Sequence, residues 1–184
     1  MRTPFRILFS ALVLMASLPV QAADKQVTER YYRVHGRTVA ELDAVVRANA
    51  PRGGRSRGMG IIDLDRRYRL ETQAGGCRVA SAAVTARATL ILPKWREGGQ
   101  PEAAVQRHWR GLERHVRAHE YGHVTIAARY ARLLEARLMK LRHDGSCWAL
   151  GAEAGKLIER TLGEHSEAQR AYDARTLAAM RRKR

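Results

Sequence analysis

Cysteine is scarce in this chain: Cys77 and Cys147 are the only two among 184 residues. That excludes a disulfide-dense small scaffold and a zinc knuckle built from cysteines alone. Lysine and acid are scarce as well. Of 34 basic residues only Lys25, Lys94, Lys140, Lys156 and Lys183 are lysine, and 18 acidic residues leave a formal net charge of +16. An arginine bias of this kind is what a GC-rich genome produces, so by itself it carries no functional signal. No internal repeat and no low-complexity tract occurs, and beyond residue 22 no run is apolar enough to cross a membrane. What is present is ordinary for a folded protein. An apolar fraction of 45% and a charged fraction of 28% argue against wholesale disorder, and the length suits one domain better than two.

Residues 1–22 have the form of a secretory signal peptide: Arg2 and Arg6, an apolar stretch over 7–20, then Val20-Gln21-Ala22 as a small-residue cleavage site. The predicted domain is then residues 23–184, acting in the periplasm or secreted, with no membrane-spanning segment left after cleavage. Export places Cys77 and Cys147 in an oxidising compartment, where a disulfide is expected. A bridge across 70 residues is worth about 4 kcal/mol in the chain-entropy model. Nucleic acid is not an expected partner there, and the positive charge points to anionic envelope polymers or to nothing specific.

The pattern predicts an α+β protein. Residues 31–34 are β-prone, Thr38 with Glu41 fits a capping box, and a short helix is expected from Val39 to about Asn49, ended by Pro51. The glycine- and arginine-rich stretch 52–58 reads as a mobile loop. Alternation over 62–70 predicts a half-buried strand, Gly75-Gly76 a turn, and 77–92 a long second strand, the two forming part of a small antiparallel sheet. One or two helices are expected within 101–143 and a last one over about 152–179. In the first of these the apolar seam runs Trp109, Leu112, Val116, His119, His123, Ile126, Tyr130, Leu133. Two histidines thus stand where leucine is the default.

Those histidines belong to His119-Glu120-Tyr121-Gly122-His123. Residues at i and i+4 share a helical face, so both imidazoles can reach one zinc ion, while Glu120, turned by about 100°, fits a proton-transferring base beside it. Zinc lowers the pKa of a bound water to near 7, and a carboxylate can take its proton and deliver it to a departing amine. These are the needs of peptide hydrolysis. Gly122 costs about 1 kcal/mol relative to alanine in a helix, which close approach of another backbone, or room beside a metal, would explain.

Together with Cys77-Arg78-Val79, Leu92-Pro93-Lys94-Trp95 and Tyr172-Asp173-Ala174-Arg175-Thr176, the pentapeptide resembles a bacterial family of predicted secreted zinc-dependent proteases, a domain of otherwise unknown function. The resemblance covers about residues 31–176 and implies a zincin-like fold, with a small antiparallel sheet packed on a long zinc-site helix and a C-terminal helix. Where the family often continues with x-His-Gly, this chain has Leu177-Ala178-Ala179.

Zinc needs a third protein ligand besides His119 and His123. No histidine follows closely and no Met-turn is present. Downstream, Glu159, Glu164, His165, Glu167 and Asp173 are the candidates. Asp173, in the family-like segment, is the first choice, His165 the second and Glu159 the third. Tyr172 beside it is expected to offer its hydroxyl to a developing oxyanion. The predicted function is that of an exported zinc metallopeptidase with Zn2+ as cofactor, a peptide or protein as substrate and Glu120 as general base. The alternative is a non-catalytic envelope-binding protein that keeps the scaffold.

Overall fold

The computed structural model describes residues 25–96 and 101–182, so the expected signal peptide lies outside the described residues. In chain order the elements are β1 (Lys25–Val34), α1 (Val39–Asn49), β2 (Met59–Gln73), β3 (Gly76–Trp95), α2 (Ala103–Met139), β4 (Arg142–His143) and α3 (Cys147–Arg181). The architecture is α+β: one small sheet and three helices.

Helix α1 has the predicted bounds, and its start shows why. Thr38 is extended, its hydroxyl accepts the Glu41 N–H at 3.2 Å, and the Glu41 carboxylate reaches back to the Arg37 N–H at 2.7 Å. One unpaired donor of the first turn and the N–H just before the cap are thereby satisfied.

The sheet is mixed, which corrects the expected antiparallel one. Its central strand is β3, antiparallel to β2 and β4 but parallel to β1. The β2–β3 hairpin turns at Gly75, whose φ of 85° suits glycine. Because α1 carries the chain from β1 to the opposite edge of β3, the hairpin that follows brings β3 back parallel to β1. Along β3 the residues Val84, Ala86, Ala88, Leu90 and Leu92 are buried against the helices, while Arg87 between them is exposed. This is the alternation of a sheet with one covered face.

Helix α2 is a single 37-residue element. Trp109, Leu112 and Val116 of the predicted seam are buried, as is Tyr130, but from the middle of the helix onward the most buried line runs Glu120, Val124, Ala127 and Ala131, one position displaced from the predicted one. The helix has two neighbours. That line faces the sheet, while His119, His123, Ile126, Tyr130 and Leu133 lie towards α3. A seam counted for one contact therefore fell on the second.

Helix α3 begins at Cys147, five residues before its predicted start, with the Ser146 hydroxyl accepting the Ala149 N–H at 3.2 Å. The expected disulfide Cys77–Cys147 is formed, tying the start of α3 to the start of β3. Its partners Val79 and Leu150 are fully buried beside it. Among the described residues no helix is long and apolar enough to cross a membrane.

Candidate metal centre

The middle of α2, the second half of α3 and the start of β2 enclose a cavity of about 410 Å³. His119 and His123 project into it from α2, one turn apart. Their Nε2 atoms are 3.3 Å from each other, and Asp173 Oδ1, from α3, is 3.2 Å and 2.9 Å from them. Among the described residues these three form a group able to hold a metal ion. Four-coordinate zinc, with bonds of about 2.0–2.1 Å, holds its ligand atoms about 3.3 Å apart, so the triangle has the right size.

The proton inventory points the same way. Gln169, one turn before Asp173 on α3, donates from Nε2 to the His123 carbonyl oxygen at 3.1 Å. A carbonyl can only accept, so the orientation of the amide is settled. Its Oε1 then accepts from His123 Nδ1 at 2.5 Å. The neutral His123 ring is thus protonated on Nδ1 and bare on Nε2. That bare nitrogen faces a carboxylate oxygen 2.9 Å away. Two acceptors so close need a proton or a metal cation between them. The second Gln169 Nε2 hydrogen goes to His165 Nε2 at 2.8 Å.

Burial, reinforced by the neighbouring His123, holds the His119 pKa below its ordinary value, which favours the neutral ring a metal requires. Burial lowers that of His165 in the same way. His165 therefore serves as a neutral acceptor for Gln169 and packs edge-on to Tyr130; as second choice for a ligand it is not in the metal-holding group. Neither is Glu159, which is exposed.

Glu120 is 3% exposed, the most buried acid of the site. Its carboxylate lies beneath the start of β2. A Cβ on Gly58 would stand 2.8 Å from Glu120 Oε1 and 2.6 Å from Val116, and one on Gly60 would stand 3.4 Å from Glu120 Oε2. The Gly60 N–H donates to the carboxylate. Burial raises the Glu120 pKa, with His123 the largest opposing influence. A carboxyl tuned upward in a cavity suits reversible proton transfer near neutral pH.

Tyr172 stacks on His119, with ring centroids 5.2 Å apart, and meets His123 edge-on at 4.9 Å. Its hydroxyl lies over the backbone of α2, where a Cβ on Gly122 would be 2.1 Å away. The group that approaches the helical glycine is thus a side chain, not the backbone expected. There the ring packs against both imidazoles.

Sequence reasoning missed Gln169, Gly58 and Gly60. Gly60 lies inside β2, where a glycine marks close approach of another group, whereas Gly58 precedes the strand and had no such signal. Gln169 had only its place four residues before Asp173, one helical turn away.

No curated protein and no solved structure matches the chain. Residues 29–179 match the family described as "Bacterial protein of unknown function (DUF922)", and with most of its length covered the chain belongs to that family.

Proposed function

We propose that this protein is an exported zinc-dependent metallopeptidase of zincin-like design. The observation that carries the proposal is the meeting of His119 Nε2, His123 Nε2 and Asp173 Oδ1, with Gln169 taking the one proton His123 could have offered. His119, His123 and Asp173 would hold the ion. When bound, zinc supplies Lewis acidity and brings the pKa of water to near 7. The chain's own residues do the rest. Glu120 accepts a proton from the attacking water and returns it to the departing amine. The backbone of Gly58 and Gly60 keeps that carboxylate in place and limits bulk water around it. A scaffold that only bound its partner would have no use for a buried proton acceptor beside the histidines, and that favours the hydrolytic reading.

The charged start, apolar stretch and Val20-Gln21-Ala22 of the first 22 residues support export, and the Cys77–Cys147 bridge suits an oxidising compartment. The test pairs metal content with turnover. Glu120→Gln should retain one zinc per chain and lose chelator-sensitive cleavage of a mixed peptide library, while His123→Ala should lose the zinc. Undiminished cleavage by Glu120→Gln, or a reconstituted wild-type chain that takes up no zinc, would overturn the reading.

A further inference from the structure

Two arginines at the cavity rim join none of the contacts just described, although Arg52 is near enough to Glu120 to oppose the rise in its pKa. Arg52 comes from the turn after α1, and Arg170 from α3. Neither joins an ion pair among the described residues. The cavity's own acids are already engaged, Asp173 with the two imidazoles and Glu120 beneath β2. Those two carboxylates would balance a divalent ion. The guanidiniums, on exposed residues at the cavity rim, are then surplus positive charge beside the site.

The backbone of Arg52 adds an independent argument. With φ of 55°, Arg52 is the one non-glycine with positive φ among the described residues. Glycine would adopt this conformation without strain, and Gly53 and Gly54 do so next to it. The turn is also pressed against α1: a Cβ on Gly54 would stand 2.3 Å from the Arg47 carbonyl oxygen, and the Gly54 N–H bonds to Ala50. A strained residue on an anchored turn at the rim of a cavity is typical of a binding position.

We propose that Arg52 and Arg170 form an anion subsite beside the metal centre, selecting substrates with a carboxylate close to the bond that is cut. Guanidinium and carboxylate match in charge and in planar, two-point geometry. The proposal rests on the metallopeptidase reading, and it narrows the substrate from peptides in general to acidic ones.

The experiment separates failure of the subsite from failure of the metal centre. Zinc-reconstituted protein is titrated by calorimetry with acetohydroxamate, a neutral chelator, and with succinate monohydroxamate, the same chelator extended by a carboxylate. The extended probe should bind more tightly by about tenfold for each arginine engaged. Arg52→Gln and Arg170→Gln should each remove about that factor and leave acetohydroxamate unchanged, whereas Arg160→Gln, on an exposed part of α3, should change neither. Displacement of the probe by paired peptides then identifies the carrier. A preference for Asp over Asn marks an internal side chain, and a preference for a free acid over an amide marks a chain end. Equal affinity for the two hydroxamates, a gain that survives both substitutions, or no preference in either peptide pair overturns the subsite while the metal centre stands. Failure of both hydroxamates to bind removes the centre and the subsite with it.

Discussion

Gly122 offers a test in which helix propensity and tertiary packing give opposite signs. It lies well inside α2, where replacing glycine by alanine ordinarily stabilises by about 1 kcal/mol. Here the added Cβ would meet Tyr172 at 2.1 Å from its hydroxyl oxygen and 2.4 Å from the ring carbon that bears it. The ring cannot slide aside freely, because its face is stacked on His119 and its edge packs against His123. Overpacking of this sort costs about 1–3 kcal/mol. Gly122→Ala should therefore destabilise by about 1 kcal/mol despite its propensity gain, and Tyr172 should be the whole reason. In a Tyr172→Ala background the same substitution should stabilise by about 1 kcal/mol, so the cycle should give a coupling energy of about 2 kcal/mol. Urea unfolding of the four proteins measures it. A coupling within about 0.5 kcal/mol of zero, the range of independent sites, would refute the placement of Tyr172 over the helix. Zinc affinity should fall in Gly122→Ala as well, since a displaced ring no longer holds His119 against Asp173.

Other expectations follow from the same contacts. Gln169→Leu removes the acceptor that keeps the His123 proton on Nδ1, and should weaken zinc binding by about 10- to 100-fold; an unchanged affinity in competition with a chromophoric chelator would show that the amide does not set the tautomer. On the far side of α2, Tyr31 above all, and then Tyr121 and Arg117, donate to Glu29 and hold its pKa below the ordinary 4.5. A depressed carboxyl stabilises the fold above its unfolded-state pKa and loses that contribution as pH falls through the folded one. The wild type should thus lead Glu29→Gln by about 1 kcal/mol at pH 7, with the lead vanishing below pH 4; a lead unchanged down to pH 2 in urea midpoints would contradict it.

How far the fold could be read from the chain depended on whether each signal was local. Thr38 and Glu41 sit within one turn of each other, and α1 came out with the predicted bounds. The β2–β3 hairpin declared itself through alternation and Gly75. The direction of β1 did not, because parallel pairing with β3 joins residues about 60 positions apart, such as Lys25 and Ala86, and nothing in the sequence of either strand records it. The seam of α2 was misplaced for a related reason. A 3.6-residue period locates one stripe, whereas this helix has one neighbour along Glu120 and Val124 and another along His119 and His123. Glu120 was expected to stand aside from the buried stripe and is in fact part of it.

The site itself is shaped as much by missing side chains as by present ones. Its candidate ligands were readable because each is a chemical type at a telling spacing: two imidazoles one turn apart, and a carboxylate in a family-like segment. The room they need was not readable, since it comes from glycines on two different elements. Gly122 makes space for Tyr172, while Gly58 and Gly60 make space for Glu120. A methyl group at either of the closer positions, 58 or 122, would push aside Glu120 or the tyrosine that packs on the histidines. The glycine at 122 lies in a helix interior and the one at 60 in a strand, places where the residue weakens local structure. Local stability has been given up there in favour of close packing around the imidazoles, the pattern expected where a fold accommodates chemistry rather than only itself.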